Sequence, residues 1–130
     1  MKQSHFALIV VLILLVVAMP GRVVGGGNAV FVATPAPVHI TLESWAPYYQ
    51  PHMAVVSAGT PVGWVNPTAS PHSIRHDGCL TEGPCLFSSI TIPPDSSFVI
   101  APLPPGQYAY HCELHPIMRG TLIVVDPSTR

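Results

Sequence analysis

The sequence predicts an all-β protein, an antiparallel β-sandwich of six to eight short strands, on three observations. Short apolar runs alternate with Pro, Gly, Ser and Asn punctuation along the chain after residue 27. No window longer than ten residues there keeps a helical period. Proline is abundant, at 16 of 130 residues, and it breaks helices because it lacks the amide donor.

Taken in order, residues 29–33 read as an edge strand. Residues 38–45 alternate as VHITLESW. Residues 53–56 and 61–65 flank a Ser-Ala-Gly turn, and residues 87–92 and 97–101 flank Pro93-Pro94-Asp95. Residues 107–112 follow Pro104-Pro105-Gly106, and residues 120–125 close the set. Trp45, Trp64, Tyr108 and Tyr110 are expected as core aromatics on these strands. No repeat or linker divides residues 28–130, which are expected to form one domain.

Residues 1–27 read as a signal peptide and flexible leader. Lys2 supplies charge, FALIVVLILLVVAM spans residues 6–19, and Pro20-Gly21 breaks the run before GRVVGGGN. Fourteen apolar residues fall short of the roughly 20 that a membrane-spanning helix needs. Cleavage near Val16-Val17-Ala18 or near residues 25–27 both fit, and an uncleaved anchor is the alternative. The implied location is the periplasm or another exported site, with no membrane contact beyond this segment.

Beyond residue 27, three arginines face six carboxylates, a net of −3 with neutral histidines, and there is no lysine. No basic field exists to hold nucleic acid. With only 8% charged residues in the whole chain, long-range steering is weak, so docking must lean on apolar complementarity. Cys79 and Cys85 sit six apart in CLTEGPC, and export permits a disulfide between them. That leaves Cys112 unpaired.

The chemistry concentrates in YAYHCELHPIMRGTLIVV, where Cys112, His115 and Met118 stand three apart, with His72 upstream in VNPTASPHSI. One thiolate, two imidazoles and one thioether suit an ion that cycles between Cu(I), which favours soft sulfur, and Cu(II), which tolerates imidazole. Structural zinc would want more thiolates in close pairs. Three ligands within seven residues require a tight loop, which Pro116 stiffens.

The segment GQYAYHCELHPIMRGTLIVV resembles the C-terminal copper loop of amicyanin- and plastocyanin-type cupredoxins, and VGWVNPTASPHSI resembles the strand and loop bearing their first histidine. The likeness covers roughly residues 38–126. It implies a Greek-key sandwich of eight strands and one type 1 copper. His72, Cys112 and His115 would be the strong ligands and Met118 the weak axial one. It also implies single-electron transfer between protein redox partners by a monomer that is not an enzyme. His115 would be the electron port, and Pro71, Pro116 and Ile117 the docking patch.

Two features depart from the pattern. Ser73 stands where the family usually has Asn, so the side-chain tie between the two ligand loops is expected to be shorter or absent. The insert RHDGCLTEGPCLF is extra, and is expected to form a stapled excursion near the copper end.

His111 precedes Cys112 and should point to the opposite strand face. Copper nitrite reductases bridge two coppers through such a His-Cys pair, but amicyanin-like sequences carry it without a second copper, so packing is expected. His39, His52 and His76 read as single surface histidines. Copper delivery, and less favourably a nitrite-reductase-type subunit, are the alternatives to electron transfer.

Overall fold

In the computed structural model, Ala33 and residues 35–129 are described. The leader and nearly all of the first expected edge strand lie outside them. Eight strands form: β1 (Val38–Leu42), β2 (Tyr49–Gln50), β3 (Met53–Ser57), β4 (Val62–Asn66), β5 (Arg75–His76), β6 (Ser96–Ile100), β7 (Gly106–His111) and β8 (Arg119–Val125). The longer ones arise where alternating side chains let one face bury. In β8 the residues at 120, 122 and 124 are buried and those between are not. Among the described residues no helix is long and apolar enough to cross a membrane.

The strands make two four-stranded sheets, ordered β2-β1-β4-β6 and β3-β8-β7-β5. The sandwich is as expected, but its pairing is mixed. β1 runs parallel to β4, with Ile40 opposite Trp64, and β3 runs parallel to β8, with Ala54 opposite Leu122. Parallel neighbours cannot be joined by a tight hairpin. The intervening chain therefore crosses between sheets, and this crossing brings loops from both sheets together at one end.

Residues 87–92 do not form the expected strand. They make only isolated bridges, Arg75 with Ser88 and His72 with Ile92. The cause is local: the Ile74 amide donates to the Ser89 hydroxyl at 2.8 Å, a side chain taking the place of a ladder carbonyl. β2 and β5 have no counterpart in the sequence pattern, because two residues carry no periodicity.

The core lies between the sheets. Trp64 is fully buried and packs against Phe87, Phe98 and Tyr110, while Tyr49 meets Tyr110 edge to face at 5.0 Å. Trp45 is a correction. It lies after β1 in the loop leading to β2, and is 66% exposed. The alternation that suggested a strand through residue 45 stops at Leu42.

The Cys79–Cys85 disulfide forms, as expected from the spacing. It staples a loop that includes a 3-10 turn, Asp77–Leu80, packed against β7.

Candidate metal centre

Cys112 follows directly on β7, and Met118 directly precedes β8. Two backbone bonds fix the loop between them: the Cys112 amide donates to the Met118 carbonyl at 3.1 Å, and the Met118 amide to the His115 carbonyl at 2.9 Å. These bonds require a tight turn, which Pro116 favours. His72 arrives from the loop between β4 and β5.

The loops bring His72, Cys112 and His115 together, with one donor atom from each lying within 4.8 Å of the others. Cys112 Sγ and His115 Nδ1 are 3.7 Å apart, and the two imidazole centroids 4.9 Å. Donors sharing one ion at bond lengths of about 2.0–2.3 Å stand roughly 3.5–4 Å apart, so the spacing fits a single metal. Met118 is buried and lines the same cavity as His72 and His115. Cys112 is fully buried, His72 nearly so, and His115 half-exposed.

A hydrogen-bond chain sets the His72 tautomer. Asn66, fully buried at the end of β4, donates through Nδ2 to the carbonyls of Ser70, Ile92 and Pro93. That turns its Oδ1 toward Thr68, whose hydroxyl donates to it at 2.7 Å. A hydroxyl has one proton, and two oxygens compete for it, Asn66 Oδ1 and the Ser70 carbonyl at 3.1 Å, which favours Thr68 Oγ1 accepting from His72 Nε2–H, 3.0 Å away. The His72 Nδ1 lone pair is then left, buried and with no hydrogen-bond partner. A buried imidazole lone pair without a donor is costly unless a cation takes it. The His72 pKa lies below its ordinary value, first because burial penalises the imidazolium and second because His115 lies alongside. Both effects favour the neutral ring, the form an imidazole needs in order to ligate a metal.

Of the two expected outcomes, a shorter tie or none, Ser73 makes the shorter tie. Its amide donates to Cys112 Sγ at 3.3 Å, and its hydroxyl does so at 3.7 Å. The same hydroxyl accepts from the Glu113 amide at 2.9 Å. The serine therefore does span the two loops that carry the candidate donors. Below it, the Tyr49 hydroxyl donates to the Ser73 carbonyl at 3.4 Å. Burial first, and then Cys112 and Tyr110, raise the Tyr49 phenol well above its ordinary pKa.

His111 is buried although it lies on the outer face of β7. The stapled loop covers it: Asp77 Oδ1 meets His111 Nδ1 at 2.5 Å, and Arg119 lies 3.7 Å from the other carboxylate oxygen. Arg75 pairs with Glu113 and donates to the Cys79 carbonyl, tying the loop to the ligand segment again. His76 is not a simple surface histidine. It is half-buried and stacks on Phe87 at 5.2 Å. Among the described residues, His72, Cys112 and His115 form the one group of three or more such donors able to share an ion. Asn66 belongs to the segment that resembles the first-histidine loop, but neither it nor Thr68 is a metal-donor type, and only their placement shows what they hold.

A model of the cupredoxin-like domain family matches residues 7–124. The chain belongs to the cupredoxin family. Amicyanin from Paracoccus denitrificans is 30% identical over 69 residues, 53% of this cupredoxin and 52% of the relative. Amicyanin from Paracoccus versutus is 32% identical over 77 residues, 59% and 57%. The chain thus spans about half the length of these curated relatives. Among solved structures, a Cu(I) amicyanin variant aligns with a TM-score of 0.60 and 22% identity, covering 68% of this chain and 82% of that one. A purple cupredoxin from Nitrosopumilus maritimus aligns with a TM-score of 0.60 and 24% identity, covering 68% and 99%. At that identity the structural likeness speaks to the fold.

Proposed function

We propose that this cupredoxin is an exported electron-transfer protein that holds one type 1 copper per chain, with His72, Cys112 and His115 as strong ligands and Met118 as the weak axial one. The observation that carries the reading is the unpartnered, buried Nδ1 of His72, beside the Cys112 sulfur and the His115 ring. The relatives named amicyanin, and the Cu(I) state of one related amicyanin structure, support copper over other ions.

When bound, the metal supplies a one-electron Cu(I)/Cu(II) couple. The protein's part is to hold the donors still. Asn66 and Thr68 orient His72, Ser73 restrains the sulfur, and the two loop bonds fix His115 and Met118. A site that does not rearrange between redox states transfers electrons with a low barrier. His115 would be the outlet, because it is the half-exposed member of the donor set. Around it, Pro71, Pro116 and Ile117 are exposed, Ile117 by 72%, and would form the docking patch of a monomeric carrier.

The test is the visible and EPR spectrum of the mature protein after Cu(II) is added, with metal content per chain. One copper and a strong blue thiolate-to-copper band are expected. Cys112→Ser should abolish the band, whereas a His111 variant should barely change it. A colourless protein would remove the proposal.

A further inference from the structure

Next to the candidate centre lies a cavity of about 250 Å³. His72, His115 and Met118 contribute to its wall, and so do Glu43, Tyr48 and Ile117. It is smaller than the roughly 300–1,000 Å³ of sites for drug-sized ligands, and suits a single side chain.

Its charge is one-sided. The Glu43 side chain is half-buried and makes no hydrogen bond or ion pair among the described residues. The other part-buried or network carboxylates are answered: Asp77 by His111 and Arg119, and Glu113 by Arg75. Among the described residues no arginine lines the cavity, and the sequence has no lysine beyond residue 27. The loop is also preorganised. Tyr48 holds φ at 68°, an uncommon value for a tyrosine, and two bonds keep it there: Tyr48 amide to Trp45 carbonyl, and Glu43 amide to Tyr48 carbonyl, each 2.8 Å. An aromatic ring in the wall, and exposed Trp45 on the same loop, add faces suited to a cation.

We infer that this cavity receives a lysine or arginine side chain presented by the redox partner, with Glu43 as counter-charge, so that docking places a cationic residue against the His115 edge. The inference rests on the electron-carrier reading and names the partner chemistry that reading lacks.

The probe is n-butylguanidinium, added to isotope-labelled, copper-loaded, reduced protein and followed by NMR. Saturable shifts are expected at the amides of Glu43, Tyr48, Ile117 and Met118, with none from the anion n-butyl sulfate. Glu43→Gln should weaken saturation by roughly threefold or more, while Glu82→Gln, in the exposed stapled loop, should not. Saturating probe should also slow oxidation of the reduced protein by tris(phenanthroline)cobalt(III), which takes one electron per complex. Shifts that never saturate, shifts that are equal in Glu43→Gln, or an unaltered oxidation rate would each overturn the inference. A protein that lacks the blue band yet binds the probe when metal-free would instead sink the carrier reading and leave the cation site standing.

Discussion

The Ser73 hydroxyl makes two hydrogen bonds, donating to the Cys112 sulfur and accepting from the Glu113 amide. Each donor on a thiolate draws electron density from sulfur and favours the reduced state of a bound copper. Ser73→Ala should therefore lower the reduction potential of the copper-loaded protein, read by voltammetry. It should also cost about 1–3 kcal/mol of stability, because it strands the Glu113 amide. A potential equal to wild type would show that the backbone donor alone sets the sulfur's environment. His72 gives a pH-dependent prediction for the metal-free chain. Its folded pKa lies below the ordinary value of 6.5. Between the two pKa values the unfolded state binds more protons, so stability rises with pH through that window and falls as pH drops below about 6.5. Metal-free protein should unfold at lower urea at pH 5 than at pH 7.5, and His72→Gln should flatten that difference. An unchanged slope in the variant would assign the effect to another group.

At the scale of elements, the β7–β8 pair sets the geometry of the ligand loop. Tyr110 stands opposite Gly120 across the pair, and a Cβ at Gly120 would collide with the Tyr110 ring and hydroxyl. Tyr110 is fully buried between Tyr49, Trp64 and Phe87, so it has nowhere to retreat. Gly120→Ala should cost about 1–3 kcal/mol and displace the start of β8, which follows Met118 directly. Denaturant midpoints check the first expectation, and broadening of the copper-loaded protein's EPR signal checks the second. The stapled insert belongs to this scale too. It covers the outer face of β7 and buries His111 under Asp77, which explains a buried histidine where alternation alone would leave an exposed one.

For the whole molecule, stability and function share one aromatic core. Trp64 touches Phe87, Phe98 and Tyr110, and so joins the first sheet to the strand that leads into Cys112. Trp64→Ala should cost about 3–5 kcal/mol, seen as a lower urea midpoint. Because the ligand loops are anchored on both sheets, copper release should coincide with unfolding instead of preceding it. Two separate transitions, followed by the blue band and by far-UV circular dichroism, would contradict that coupling.

Much of this was legible in the sequence. His72, Cys112 and His115, which the fold brings together, the disulfide pair and six of the eight strands announce themselves, because donor chemistry, cysteine spacing and period-two alternation are local properties. Residues 87–92 read as a strand because they flank the Pro93-Pro94-Asp95 turn, but the Ser89 hydroxyl takes a bond that a ladder carbonyl would otherwise accept. Trp45 read as core because hydrophobicity does not say where a strand stops. Which strands run parallel, that Asn66 and Thr68 fix the His72 tautomer, that Ser73 spans both loops, and that Glu43 faces a cavity beside His115 were decided only by the tertiary structure. These are contacts between residues distant in sequence, whose energy exists only once the two sheets close. Short-range pattern determines what each segment can be, and packing determines what it meets.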